Sequence, residues 1–464
     1  MLMEQEMQKA FQLHVDEELI LDCMRCGFCL PSCPTYIHLG NDESLSPRGR
    51  IATMKAVRDG FVEFDESIER SFDTCLGCRA CEPACPAGVK YGTLIEQTRE
   101  AIQTAKKPGA VEKATREVVF NHLFAKQSNM KLAVNLVNLY QKTGLQKVVR
   151  KVGFMNLFPE QLQKMERALP AVPKKVEKLR TTSLNASVKD QEMKAGAMEA
   201  ATVAANLELA AEAKKPLKVA FFTGCLMDTL YKEINDKTVA LLELLGVHVT
   251  IPDGQSCCGA LHGHSGEMEK GHGNLVRNVQ AFDSDDFDYI VNNAGGCGAF
   301  LKEYELHLKS DAKYADKAKR FSERTIDISS LLVKAGIMEY LGNLPKHSSR
   351  VVVTYQDSCH LRNVNKVFVE PRDILKAMPN TEYRELPNAG GCCGSAGVYN
   401  ILQPEISGKI LKSKMEDVQK VEPAVVVTAN PGCLIQMQVG IQNEGMSETT
   451  RAVHIVEFLY ETLK

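Results

Sequence analysis

Eight cysteines between residues 23 and 85 form two runs of one pattern, which constrains this 464-residue chain more than any other feature. Cys23, Cys26, Cys29 and Cys33 read C-x2-C-x2-C-x3-C-P, closed by Pro34. Cys75, Cys78, Cys81 and Cys85 repeat it, closed by Pro86. Thiolates at steps of three let one tight loop cover three corners of an iron–sulfur cubane, while the fourth cysteine points to the other cluster. The spacing assigns Cys23, Cys26, Cys29 and Cys85 to one 4Fe–4S cluster. Cys33, Cys75, Cys78 and Cys81 take the second. Two structural zinc sites are the alternative, but zinc needs paired C-x2-C steps and has no use for the third cysteine or the trailing proline.

The 41 residues between Cys33 and Cys75 carry helical signals. Ser46 is a candidate N-cap, Pro47 suits the first helical position, and RGRIATMKAVRDG keeps helical apolar steps up to Gly60. FDESIERSFDTC leads into the second run in the same way. An all-helical two-cluster ferredoxin-like domain is expected, over residues 1–110. Arg48 and Arg50 either balance cluster charge, meet a partner, or open a solvated helix.

The other eight cysteines form a repeat. Cys225, Cys257, Cys258 and Cys297 are matched by Cys359, Cys392, Cys393 and Cys433 at offsets of 134, 135, 135 and 136 residues. Both central pairs continue into glycine, at Gly259 and Gly394. Such constancy marks a duplicated unit. KVAFF, DYIVNN, RVVVTY and AVVVTAN are short β-rich runs, each followed by small residues, a cysteine and a helical pattern. Two α/β domains are expected, at 216–345 and 346–464, with the thiols at the carboxyl ends of parallel strands, where such sheets bind ligands. Four thiolates per unit suit 4Fe–4S or zinc. His262, His264, His272 and His360 lie near these motifs and are read as supporting rather than ligating residues.

Between the two halves, 111–180 is amphipathic and helical. Lys131, Lys142, Lys147, Arg150 and Lys151 give it a basic face, read as the solvated side of helices packed on a neighbour, with a membrane surface as the alternative. Residues 181–215 are Ala-rich and polar and read as a linker. With 56 Lys+Arg against 58 Asp+Glu, the chain lacks the basic surplus of a nucleic-acid binder. No run approaches the about 18 apolar residues of a spanning helix, and the acidic start is unlike an export signal. A cytoplasmic chain is expected, where clustered thiols serve metal rather than disulfides.

These features resemble the CCG-domain family that includes the iron–sulfur subunits of bacterial glycolate oxidase. The matching segments are CMRCGFCLPSCPTY, SPRGRIATMKAV, CLGCRACEPACPAGVKYG, FFTGCLMD, SCCGALHGHSG, NNAGGCGAF, DSCHLRN, GGCCGSAG and ANPGCL. The third subunit of anaerobic glycerol-3-phosphate dehydrogenase, the lactate-utilisation proteins and heterodisulfide reductase are similar at greater distance. In the last, each unit has a C-x-x-C element for a five-cysteine cluster. Ala294 and Asn430 stand at its first position here, so four-cysteine sites are expected.

The chain has no Gly-rich dinucleotide loop and no phosphate loop. A 2-hydroxy acid gives up two electrons, typically as hydride to an organic cofactor, which a cubane does not accept. The resemblance thus implies an electron-transfer subunit, inert alone, in a hetero-oligomer with an FAD-containing flavoprotein. It would pass electrons to quinone or another acceptor, with the complex cytoplasmic or peripheral on the inner face of the membrane. A thiol or disulfide reductase, or a subunit of a glycerol-3-phosphate or lactate dehydrogenase, is the alternative.

Overall fold

The computed structural model describes residues 2–106, 127–157, 216–345 and 350–463, with isolated positions between 109 and 163. The expected linker at 181–215 lies outside the described residues.

The N-terminal part is helical: α1 (Leu2–His14), α2 (Pro47–Arg58), α3 (Glu66–Asp73) and α4 (Tyr91–Ala105). The starts of α2 and α3 follow from local chemistry. Ser46 Oγ accepts the Gly49 N–H at 3.0 Å and Pro47 opens α2, as the sequence predicts. Asp65 accepts the Ile68 N–H at 2.8 Å to cap α3. The apolar faces meet on Phe11, Met54, Phe72 and Leu94, all fully buried.

Two helices follow, α5 (Gln127–Lys142) and α6 (Leu145–Lys151). Helix α5 buries Met130 and Val134, and Lys131 Nζ lies 3.5 Å from the buried Asp228 carboxylate. The expected packing on a neighbour is therefore present, but on one face only. Leu132, Leu136 and Leu139 remain exposed.

Each repeat holds a four-stranded, all-parallel sheet. The first comprises β1 (Lys218–Phe221), β2 (His248–Thr250), β3 (Tyr289–Asn292) and β4 (Thr325–Asp327), with helix α7 (Met268–Ala281) between β2 and β3. The second comprises β5 (Val351–Tyr355), β6 (Thr381–Tyr383), β7 (Val425–Thr428) and β8 (Arg451–His454), with α8 (Pro404–Val421) between β6 and β7. The strand orders are β2-β1-β3-β4 and β6-β5-β7-β8. Val219 pairs with Val249 and Tyr289, and Val353 with Tyr383 and Val425. Central strands covered on both faces must be apolar throughout, and β7 is buried at all four positions.

The chain reverses its direction of winding between β1 and β3, and between β5 and β7. A crevice opens at such a switch point beyond the strand ends. Cys225 and Cys297 follow β1 and β3; Cys359 and Cys433 follow β5 and β7. The repeats join at the carboxyl ends of β3, β7 and β8: Gly295 N–H donates to Ala429 O at 2.9 Å, and His454 Nε2 to Asn293 O at 2.9 Å. Among the described residues, no helix is long and apolar enough to cross a membrane.

Candidate metal centres

Both ferredoxin-like runs share a backbone device. Arg25 and Gly27, on either side of Cys26, have φ of 57° and 91°. Gly77 and Arg79, on either side of Cys78, have φ of 62° and 58°. Left-handed residues of this kind turn successive N–H groups toward one concavity, a cradle for an anionic group. An arginine there costs about 1 kcal/mol or more against a right-handed conformation, so it needs restraint. Arg48 supplies it in the first run, donating to Arg25 O at 3.0 Å while paired with Glu43 at 2.6 Å. In the second, Arg79 is held by Glu82 at 2.9 Å and by Glu303 of the first repeat.

Cys33, Cys75, Cys78 and Cys81 are all buried. Burial pushes the Cys81 thiol up, and Cys78, Cys75 and Cys33 add to this as close like charges. Cys75 moves the other way. Burial opposes its charge, but the Arg50 and Arg99 guanidiniums, the Tyr91 hydroxyl at 3.5 Å and the Gly77 N–H at 3.4 Å outweigh burial and lower it. Arg50 is wholly buried, donating to Ser71 O at 2.6 Å and to the Thr35 and Thr74 hydroxyls, each at 3.1 Å. Arg50 thus faces the thiols, whereas Arg48 pins a loop.

Cys23, Cys29 and Cys85 are half-buried against the helical core. Burial raises the Cys29 thiol, with Cys23 and Cys33 adding to it. Cys26 is the one exposed cysteine of the sixteen.

In the repeats the thiols form matching chains. Cys225 hydrogen-bonds to Cys257, which reaches Cys258, which reaches Cys297. Cys359, Cys392, Cys393 and Cys433 follow the same order. The contacts from Cys225 and Cys258 hold Cys257 well below the ordinary thiol range. The glycine after each pair has φ of 90° at Gly259 and 88° at Gly394, and its N–H donates to the first thiol of the pair, at 3.4 Å for Cys392. A Cβ would stand 2.7 Å from Leu275 Cδ1 or 2.9 Å from Ser407 O, so only glycine fits.

Among the described residues, no three His, Cys, Asp or Glu side chains are grouped to hold one metal ion. A single zinc draws its sulfurs to about 2.3 Å from one point. A cubane spreads four thiolates over four iron corners, and the buried thiols of the second run, with the left-handed residues on either side of Cys78, would offer it ligands and inward-turned N–H donors.

The second ferredoxin-like run is wedged between the two repeats. Asn363 donates to Cys78 O at 2.9 Å, His360 Nε2 to Gly77 O at 3.0 Å, and Tyr399 to Thr74 O at 2.9 Å. Arg99 donates to His264 O at 2.8 Å. Cys78 packs in one buried cluster with Cys359 and Cys392, and their charges act on one another. The second ferredoxin-like quartet therefore borders the second repeat's thiols directly.

The histidines divide. His264 pairs with Glu96 at 2.7 Å and stacks on His360 at 5.1 Å between ring centres. Buried His262 lies within electrostatic reach of Cys257. His272 is half-exposed, 3.8 Å from Asp311. Sequence reasoning singled out Asn430 only for the cysteine it replaces, and missed Lys414 and Asn278, which lie beside the repeat sites.

Comparison with known proteins agrees with this layout. Residues 19–89 match the 4Fe-4S dicluster domain, 219–302 and 353–438 the cysteine-rich domain, and 111–169 the linker region of the glycolate oxidase iron-sulfur subunit. The probable glycolate oxidase iron-sulfur subunit of Bacillus subtilis (strain 168) is 48% identical over 458 residues, 98% of this chain and 97% of that one. The glycolate oxidase iron-sulfur subunit of Escherichia coli (strain K12) is 29% identical, covering 98% of each chain. Lactate utilization protein A of Bacillus subtilis (strain 168) is 30% identical over 243 residues, 52% of this chain and 99% of that one. With its helical two-run domain, its linker and its duplicated Cys-Cys-Gly units, this chain belongs to the family of glycolate oxidase iron–sulfur subunits.

Proposed function

We propose that this chain is the electron-transfer subunit of a glycolate or related 2-hydroxy-acid oxidase complex. A flavoprotein partner takes the substrate's electrons, and this chain carries them toward quinone or another acceptor. Bound 4Fe–4S clusters supply one-electron redox steps. Cys23, Cys26, Cys29 and Cys85 hold one, and Cys33, Cys75, Cys78 and Cys81 the other. Cys225, Cys257, Cys258 and Cys297, and Cys359, Cys392, Cys393 and Cys433, hold the two repeat centres.

The observation that carries this reading is the contact of Cys78 with Cys359 and Cys392 in one buried cluster. That contact supports a short path between the second quartet and the second repeat, and exposed Cys26 supports access of a redox partner to the first quartet. The test is reconstitution. The anaerobically purified chain is inert toward glycolate, and adding it to the flavoprotein restores reduction of a quinone acceptor. Full quinone reduction by the flavoprotein alone overturns the proposal.

A further inference from the structure

The two ferredoxin-like runs align residue for residue, and Arg25 and Gly77 each stand two residues after the first cysteine of their run. Both are left-handed, at φ of 57° and 62°. Each carbonyl accepts a side-chain hydrogen bond at 3.0 Å, but the donors come from different domains. Arg48 of the same helical domain holds Arg25 O, whereas His360 of the second repeat holds Gly77 O. His360 follows Cys359 in the helical turn Cys359–Asn363, and Asn363 at the end of that turn donates to Cys78 O at 2.9 Å. Tyr399 of the same repeat donates to Thr74 O at 2.9 Å, and Arg99 of α4 to Cys75 O at 2.6 Å. The backbone of the second run is thus held largely from outside its own domain.

We propose that His360 is a positioning residue for the second quartet, supplied by the second repeat in the role that Arg48 plays in the first run. It acts through Gly77. The Gly77 N–H donates to Cys75 Sγ at 3.4 Å, and His360 Nε2–H fixes the carbonyl of the same residue. Glycine has the freest backbone, so an external donor decides where its N–H and carbonyl point. The imidazole is itself braced. His264 of the first repeat stacks on it at 5.1 Å between ring centres, and Glu96 of α4 holds His264 Nδ1 at 2.7 Å. A fixed N–H on a ligating sulfur stabilises the more reduced, more anionic state and raises its potential. The second repeat, whose Cys359 adjoins His360, therefore sets the potential of a centre in another domain. The inference rests on the reading of Cys33, Cys75, Cys78 and Cys81 as cluster ligands.

The test is an EPR-monitored redox titration of the full, anaerobically purified chain with dithionite as reductant, the second-quartet signal being the one lost in C81S. H360L lowers its midpoint by about 59 mV, a tenfold change for one electron, and leaves the first-quartet signal in place. H360Q keeps a donor at that reach and restores the wild-type value. H264A removes the brace and shifts the midpoint the same way by less. Iron content and circular dichroism equal to wild type show that a variant folds. An unmoved midpoint in folded H360L, or in H264A where H360L loses iron, overturns the inference. So does an H360Q midpoint equal to that of H360L. A wild-type chain without iron and without an EPR signal overturns the cluster reading itself, and the inference with it.

Discussion

Asn430 Nδ2 donates to Cys433 Sγ at 3.6 Å, while Asn430 Oδ1 accepts the N–H of Gly296 in the other repeat at 3.0 Å. One amide thus ties the two candidate centres together at the position where more distant relatives carry an extra cysteine; the first repeat has Ala294 there. A donor to a ligating sulfur favours the more reduced, more anionic state and raises its potential. N430A is expected to lower the midpoint potential of the second-repeat centre by about 60 mV, a tenfold change for one electron at twice the two-electron interval. An EPR-monitored redox titration reads it, and an unmoved potential contradicts the role.

Lys414 distinguishes the repeats in a second way. Its Nζ, buried at 3% exposure, donates to Asn388 O just ahead of Cys392 and Cys393. Asn278 stands 136 residues earlier, the offset of Cys297 from Cys433, and accepts from Ser256 N–H at 2.7 Å while donating to Cys257 O at 3.0 Å. Burial lowers the Lys414 pKa, while Asp417 and the Cys393 and Cys392 thiols oppose this. A buried cation beside one centre and a neutral amide beside the other should split their potentials. K414Q is expected to lower the second centre by tens of millivolts and leave the first in place; equal shifts in both would refute it.

Much of this organisation was legible in the sequence. Cysteine spacing marked the four sets, Ser46 and Pro47 marked a helix start, and the four β-rich runs became β1, β3, β5 and β7. Strands β2, β4, β6 and β8 were missed because three or four residues carry too little pattern, and parallel pairing to a neighbour defines them. Positive φ at Arg25 and Arg79 was hidden, since only glycine advertises that conformation. The seating of Cys78 against Cys359 and Cys392, 281 and 314 residues away, is a tertiary contact that no local pattern encodes.

Arg50 should be indispensable to the helical domain. Its guanidinium joins Ser71, Thr35 and Thr74 in a fully buried site, and burial alone would depress it. Tyr91, Cys75 and Cys33 reverse this and raise its pKa. R50M leaves buried acceptors and thiolate charge uncompensated, at a cost of about 3–5 kcal/mol. R50K lacks the planar fork and recovers little. Thermal unfolding and labile-sulfide retention measure both.

The joint between the repeats should be acid-sensitive. His454 is buried, donates to Asn293 O and accepts from Val456 N–H at 3.2 Å. Burial lowers its pKa from 6.5 to about 4. The unfolded chain therefore binds a proton that the folded chain refuses, and stability falls as pH drops from 6.5 toward 4. The loss is roughly 2 kcal/mol near pH 5. Urea midpoints at about pH 7 and pH 5 should differ accordingly, and H454Q should narrow the difference.

The central claim is that the two ferredoxin-like quartets hold iron–sulfur clusters, and metal analysis of the anaerobically purified full chain tests it most directly. Iron, zinc and acid-labile sulfide are counted per chain, with EPR of the reduced protein. About eight irons with matching sulfide are expected from those two quartets, and more where the repeats hold clusters as well. Zinc in place of iron, with no labile sulfide and no reduced-cluster signal, would contradict the account.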